Sequence, residues 1–460
     1  MSCLAYIIFF WYNHIMKKND VVEVIIDDIG SSGEGIAHVE NFTVFVPFTL
    51  PQEKCEIHVL KVKDNLAWAK LLRVIDKNPN RVEPKCAYYG KCGGCVIEHA
   101  SAECELKFKE QKIITAFRKN AAKNLESVTM FDSDKEYFYR NKCAFPVRNI
   151  DGVSKVCMFR GNSHNPIAIE SCALADKNIN KVISIFNDYI NNNSISAFNE
   201  ETQTGLVKFL VVRVVNNVPL ITIVINGDKI KNINYFIDKI AIEFEKFGLN
   251  LNINKQNNNI ILSNKFQYVY GEKELVSCEY GITYPVSSLS FLQINDYIKN
   301  LIYTKVLDLI EKDDIVIDAY SGAGLLSAIL AKKAKMVYGI EIIKEATKNA
   351  NDLAKNNNIS NLENINGDCA EKLPKLIDNI KNNLVKVVLD PPRKGCDKKV
   401  LDAIVKAGSN TIIYISCNPL TLARDAKILF DCGYELADIS GFNMFPQTEH
   451  VETLAVFQKR

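Results

Sequence analysis

The last third of the chain restricts its possible folds more than any other stretch. Between residues 286 and 460 the apolar runs DIVIDAY, MVYGIEI, VKVVLDPP and NTIIYISC are each followed by a helix-periodic segment, and a short run, TLAVFQ, closes the sequence. Apolar runs without polar alternation are strands buried on both faces. Strands joined through helices run parallel, with the helices packed on the two faces of the sheet. Ligands of such sheets bind beyond the carboxyl ends of the strands, so the residues that terminate these runs are where chemistry is expected.

Each terminus carries a distinctive set of side chains. Asp318-Ala-Tyr-Ser-Gly-Ala-Gly324 is a strand–loop–helix turn whose glycines allow the backbone to approach a ligand. Glu341 ends the next run, where a carboxylate would accept hydrogen bonds from ribose hydroxyls, and Gly367-Asp368 follows the next expected strand. The GxGxxG that cradles a pyrophosphate is missing, so a nucleoside without phosphates, S-adenosylmethionine above all, suits the loop better than NAD. In Leu389-Asp-Pro-Pro-Arg-Lys-Gly395 two prolines hold the chain extended and fix Asp390 at the cleft. Ser416-Cys417-Asn418-Pro419 puts a thiol at the same edge, where it can act as a nucleophile. In Phe445-Pro-Gln-Thr-Glu-His-Val-Glu-Thr453, His450 and Glu452 are two apart and face one side of an extended segment, and a carboxylate near a nucleophilic thiol supplies a general base.

At roughly 150 residues per domain, 460 residues suggest about three domains. Residues 20–76 read as short strands (VVEVIID, TVFVPF, CEIHVLKVK, AWAKLLRVI), which suits a five-stranded barrel with a slight acidic excess and no strongly basic face. Asn78, Pro79 and Pro84 make a linker. Of 14 cysteines, Cys86, Cys92 and Cys95 are spaced for a metal or cluster. Spacing leaves the fourth ligand open between Cys104, which would make a compact zinc-like knot, and Cys172, which would close a fold around a cluster. One amphipathic helix is expected at roughly 104–119. From Lys107 to Arg160 basic residues outnumber acidic ones, with Phe108, Phe117, Tyr137, Tyr139, Phe145 and Phe159 interleaved. That mixture suits single-stranded nucleic acid, although such aromatics also build cores. Residues 176–285 read as α+β, with β-rich LVKFLVVRVV, VPLITIVING and NNNIILSN and with the asparagine-rich NDYINNN and NKQNNN as loops.

A formal net charge of +2 imposes no global field, so any nucleic-acid surface must be local. The apolar run Leu4–Tyr12 is shorter than the roughly 20 residues that span a bilayer. It also lacks a basic region and a cleavage site ahead of the mature sequence, so it is a poor signal peptide. Met16 opens a more natural start, which makes residues 1–15 an early-called start or a disordered extension of a cytoplasmic protein.

Taken in order, FLQIN (291–295), DAYSGAG, VYGIE, VVLDPPRKG, YISCNPLTLARD and FPQTEHVET resemble the S-adenosylmethionine-dependent RNA uracil-5-methyltransferases. The resemblance extends upstream to the barrel, which is similar to a TRAM domain, and to the Cys86/Cys92/Cys95 motif, so it runs from about residue 18 to the C-terminus. It implies an α/β protein: an N-terminal TRAM/OB-like β-barrel (17–77), a central α+β iron–sulfur and RNA-binding domain (78–285) and a C-terminal Rossmann-like methyltransferase domain (286–460). It also implies Cys417 as nucleophile toward C6 of uracil and Glu452 as the base that removes the C5 proton. Gln293, Tyr320, Glu341, Asp368 and Asp390 match cofactor-contacting positions. Cys86, Cys92, Cys95 and Cys172 would ligate a [4Fe-4S] cluster. Ser321 stands where cysteine is frequent, Leu325 where a polar residue is, and Lys208 where arginine is expected.

The short bacterial tRNA enzymes of this kind lack the barrel and cluster, so 23S ribosomal RNA is the expected substrate, handled by a monomer with no membrane or obligate protein partner. The alternatives are a tRNA (uracil-5-)-methyltransferase and a non-catalytic RNA-binding module. A cytosine-5-methyltransferase would carry different motifs around its cysteine.

Overall fold

The computed structural model describes residues 16–133, 135–380 and 385–460, and the run Leu4–Tyr12 lies outside them. Two compact units emerge: one up to Pro84 together with Val96–Ser101, the other Lys85–Cys95 with Ala102–Arg460. Among the described residues no helix is long and apolar enough to cross a membrane.

The first unit is built on a six-stranded sheet in the order Val21–Ile25, Lys54–Lys63, Leu66–Asp76, Phe42–Val46, Gly35–Val39, Asp28–Ile29. The strand Gly35–Val39 and the two-residue Asp28–Ile29 lie outside or at the end of the four runs read from the sequence, and bring the sheet to six strands rather than five. Alternate residues such as Cys55, Ile57 and Val59 point into a core that also buries Met16. On the outside Glu23 pairs with Lys54 and Glu56 with Arg73. Trp68 stacks on Phe45 with Lys61 above its ring.

In the second unit a seven-stranded sheet runs in the order Pro166–Ala168, Val153–Phe159, Lys142–Ile150, Val207–Val215, Val218–Ile225, Gly248–Ile253, Phe266–Gly271. The helices Lys177–Asn192 and Ile233–Glu243 pack on it through Ile183, Phe186, Tyr189, Phe236 and Ile240. The tract NDYINNN, expected to be a loop, is helical through Asn192. Its buried Tyr189 and Ile190 extend the apolar stripe of Phe186, and Asn187 accepts a hydrogen bond from the Val156 amide, so tertiary packing overrides asparagine's weak helix propensity. Conversely, NNNIILSN is not a strand, and Ile260 within it is exposed.

The aromatic series between Lys107 and Arg160 is mostly core. Phe108, Phe117, Tyr139 and Phe145 are buried, Phe159 and Tyr137 keep accessible faces, and Phe138 beside Tyr137 is exposed. The amphipathic helix is Ala102–Asn120, and its Ile113, Ala116 and Phe117 enter the same core as Leu422, Ala426 and Leu429 of the helix Pro419–Asp431.

The C-terminal sheet has eight strands in the order Leu362–Asn366, Met336–Glu341, Ile315–Ala319, Val385–Leu389, Thr411–Ser416, Glu452–Lys459, Tyr434–Phe442, Thr129–Phe131. Two of these, Tyr434–Phe442 and Thr129–Phe131, are absent from the sequence reading. The sheet is also not wholly parallel, because Glu452–Lys459 runs antiparallel to both its neighbours. The reversal follows from connectivity: the short loop 443–451 returns the chain directly beside the strand it has just left, without a crossover helix.

Candidate active site

Strand register alone lines up the motifs. Ala319 is level with Ile340 and Leu389, Leu389 with Tyr414, and Glu341 with Asn366. Tyr320, Asp390 and Gly367-Asp368 are therefore the first residues beyond their strands, beside Glu341. On the other side Ser416 pairs with Thr453, so Cys417 leaves its strand opposite the point where Glu452 begins the reversed one. In a parallel strand Glu452 would sit at the far end of the sheet. The reversal brings an N-terminal residue to the carboxyl edge, which is how the base joins the thiol.

The loops hold these residues in place. Asn418 caps the helix Pro419–Asp431 by accepting from the Leu420 amide, with Pro419 in the first turn. Its Nδ2, together with the Thr421 hydroxyl, donates to the carbonyl of Arg393, tying the SCNP turn to the DPPRKG turn. Gly395 has φ +79, and a Cβ there would lie 2.6 Å from an Arg424 nitrogen, so this turn requires glycine. Tyr320 also has positive φ (+70), unusual for a bulky side chain and typical of strain retained at a functional site.

Electrostatically the edge is an unusual place for acids. Glu452 is 3% exposed and accepts no hydrogen bond from any described residue. Burial holds its carboxyl well above the usual carboxylate range, the Asp390 charge adds to this, and Arg393 opposes it. Asp390 is pushed up to about 6 by burial. The Cys417 thiol is raised by burial first and by Glu452 next, while Arg393 pulls it down. Behind them Asp318 is pushed up to about 7 by burial and accepts from the Ser327 hydroxyl at 2.5 Å. Buried titratable groups displaced in this way and gathered at one sheet edge mark candidate functional sites.

The remaining expected residues are placed differently. Glu341 accepts from the Gly322 amide at 3.0 Å through one oxygen and from the Ile343 amide at 2.8 Å through the other. Asp368 accepts from the Ala370 amide at 2.9 Å at the start of the helix Cys369–Ile380. Gln293 belongs to no strand and lies in a segment held by the central sheet. Lys142 donates to the Ser288 carbonyl, Arg213 to that of Ser290 and Asn141 to that of Gln293. His450 turns to Glu449, 3.4 Å away, and to the Phe445 ring. Arg393, whose charge bears on both Cys417 and Glu452, is a candidate to which the sequence reading gave no role. Its signal was present, a cation directly after Asp-Pro-Pro.

A second cluster lies in the central region. Cys86, Cys92, Cys95 and Cys172 line one cavity of about 130 Å³, with Cys143, Arg140 and Met158 also in its wall; Cys104 is not among its lining residues. Gly93 permits this geometry, since a Cβ there would lie 2.7 Å from the Gly161 backbone. The Gly94 amide donates to the Cys92 sulfur at 3.3 Å. Among the described residues no three histidine, cysteine or acidic side chains are grouped so as to hold a single metal ion.

A mainly parallel sheet with one reversed strand and carboxylates along its ligand edge is the architecture of an S-adenosylmethionine-dependent methyltransferase. Residues 101–460 match the family model described as tRNA (uracil-5-)-methyltransferase and residues 17–72 match the TRAM domain. The chain belongs to the S-adenosylmethionine-dependent RNA (uracil-5-)-methyltransferase family. A protein of Clostridium acetobutylicum named as an uncharacterized RNA methyltransferase is 36% identical over 452 residues, covering 96% of this chain and 98% of that one. One of Streptococcus mutans with the same description is 36% identical over 453 residues, covering 97% and 100%. In fold, the chain is similar to the Pyrococcus abyssi tRNA (uracil-54, C5)-methyltransferase solved with S-adenosyl-L-homocysteine. That likeness has a TM-score of 0.76 and 23% identity and covers 95% of this chain and all of that one.

Proposed function

We propose that this enzyme converts a uridine of 23S ribosomal RNA to 5-methyluridine, with Cys417 as nucleophile and Glu452 as general base. The observation that carries this reading is the register of the reversed strand, which sets an unpartnered buried carboxylate opposite the exit of the strand that delivers the thiol. Uracil C5 is a poor nucleophile until C6 is attacked. The Cys417 thiolate forms a bond to C6 and the ring electrons move to O4 as an enolate. Bound S-adenosylmethionine supplies an electrophilic methyl group. Once C5 carries both the methyl group and its proton, Glu452 takes the proton and the electron pair expels Cys417 as thiolate. Burial makes Glu452 a stronger proton acceptor once ionised, and Arg393 keeps that ionisation within reach. The target base must leave its stack to reach the thiol.

Tyr320, Glu341, Asp368, Asp390 and Gln293 are proposed to hold the cofactor. The single amide contact on each Glu341 oxygen leaves lone pairs for ribose hydroxyls, and Asp368 has an oxygen beyond its helix-capping one. The thiol cavity fits a group larger than one ion, because the thiols share one wall yet are not gathered as tightly as a single metal requires. We assign Cys86, Cys92, Cys95 and Cys172 as ligands of a [4Fe-4S] cluster with an organising role. Anaerobically purified protein should contain about four irons, and Cys172→Ser should lose them while Cys104→Ser does not; stoichiometric zinc would overturn the assignment.

Transfer RNA is the second reading. The archaeal tRNA enzyme is matched along its whole length, so the presence of an N-terminal barrel does not by itself exclude tRNA. Labelled methyl groups should enter unmodified 23S RNA and be recovered as 5-methyluridine. Label in tRNA alone would keep the chemistry and refute the substrate.

A further inference from the structure

The segment between the last two strands, 443–449, is almost wholly buried, and polar side chains from elsewhere in the chain grip its backbone. The Lys109 ammonium, fully buried on the helix Ala102–Asn120, donates to Glu105 Oε1 at 2.6 Å, to Asn443 Oδ1 at 2.5 Å and to the Phe445 carbonyl at 3.1 Å. Glu105 Oε1 in turn accepts from the Gln447 amide at 2.9 Å. Lys112, one turn along, donates to the Glu449 carbonyl at 2.8 Å, and the Tyr139 hydroxyl donates to that of Pro446 at 3.1 Å. Gln447 has φ +71, a left-handed conformation that a glutamine keeps only where its surroundings dictate it. Burying an ion pair in a helix brings little net stability by itself. This one spends its hydrogen bonds on a strained loop five residues ahead of Glu452.

We propose that Lys109 and Glu105, assisted by Lys112, are positioning residues for Glu452: they fix the 443–449 segment and thereby set where the base stands relative to Cys417. The inference rests on the uracil chemistry proposed above and makes the helix part of the machinery that resolves the covalent adduct. Addition of Cys417 to C6 depends on the strand Thr411–Ser416 and the SCNP turn, whereas the hydrogen bonds of Lys109, Glu105 and Lys112 outside their own helix go to the 443–449 segment. Proton removal depends on the reversed strand, into which that segment leads. Loosening the clamp should therefore slow adduct release more than adduct formation.

The test is single-turnover reaction of the full-length protein with uridine-containing RNA, reading methylation and the fraction of protein–RNA adduct that survives a denaturing gel. Lys112→Met should raise the adduct fraction. Lys109→Met should raise it further, with turnover lowered by up to about 100-fold, as for a misplacement of about 1 Å. Turnover falling in step with adduct formation, together with a lowered melting temperature, would reduce the clamp to a structural support. Should Lys109→Met fail to fold, Lys112→Met decides, and an unchanged adduct fraction there overturns the proposal. Glu452→Gln is the control for the underlying chemistry. If it traps no adduct, the reading of the active site fails; if it traps adduct while the lysine variants do not, only the clamp fails.

Discussion

Glu105 and Glu452 are both buried carboxylates in the same unit, and the protein treats them oppositely. Glu105 has an ammonium and a backbone amide on one oxygen. Glu452 accepts no hydrogen bond from any described residue and meets the nearby negative charge of Asp390. Leaving a buried acid without hydrogen bonds costs stability, so a fold that bonds one of two buried acids and not the other separates scaffold from site. The difference teaches where to expect stability loss and where to expect activity loss, and the two can be dissociated.

The largest effect belongs to the edge. Cys417→Ala should reduce methyl transfer by about 10⁴-fold or more while leaving S-adenosylmethionine binding and the unfolding midpoint near those of the parent. Measurable turnover would remove the thiol from the reaction. Next come the two acids compared directly by urea unfolding. Glu105→Gln leaves the Lys109 ammonium buried without its counter-charge and should cost about 3–5 kcal/mol. Glu452→Gln replaces a buried carboxyl that burial already disfavours in its charged form, and should leave stability within about 1 kcal/mol of the parent, or above it, while turnover is lost. Equal destabilisation by the two would dissolve the distinction. The smallest effect is a shift in pH dependence. Cys417 and Glu452 must both be ionised to act, both are raised by burial, and the Arg393 cation opposes that rise. Arg393→Ala should move the acid limb of kcat/KM to higher pH and Arg393→Lys should restore it; an unmoved limb would free Arg393 from this role.

Much of the edge was legible in the sequence because each strand announces its end. Tyr320, Glu341, Asp390 and Cys417 directly follow or close apolar runs, and parallel register then aligns them with no further information. Three things were not legible. The reversal that makes Glu452 a neighbour of Cys417 is a property of pairing, which TLAVFQ alone cannot report. Phe108, Phe117, Tyr139 and Phe145 belong to a stretch with the composition of a nucleic-acid surface and have the burial of a core, because local composition does not say which face of an element is covered. The clamp joins Lys109 to Phe445 across more than three hundred residues, a contact that no local pattern encodes. In the thiol cavity, spacing grouped three cysteines and left Cys104 and Cys172 open, and in the folded chain Cys172 lines the cavity while Cys104 does not.

The insertion of Glu452–Lys459 between two strands that precede it in the chain has a temporal meaning. Until that strand threads into its slot, Thr411–Ser416 and Tyr434–Phe442 lack their shared partner, and a partly assembled sheet presents a thiol without a proton acceptor. The same pairing that closes the sheet is the one that sets Glu452 opposite the exit of Cys417.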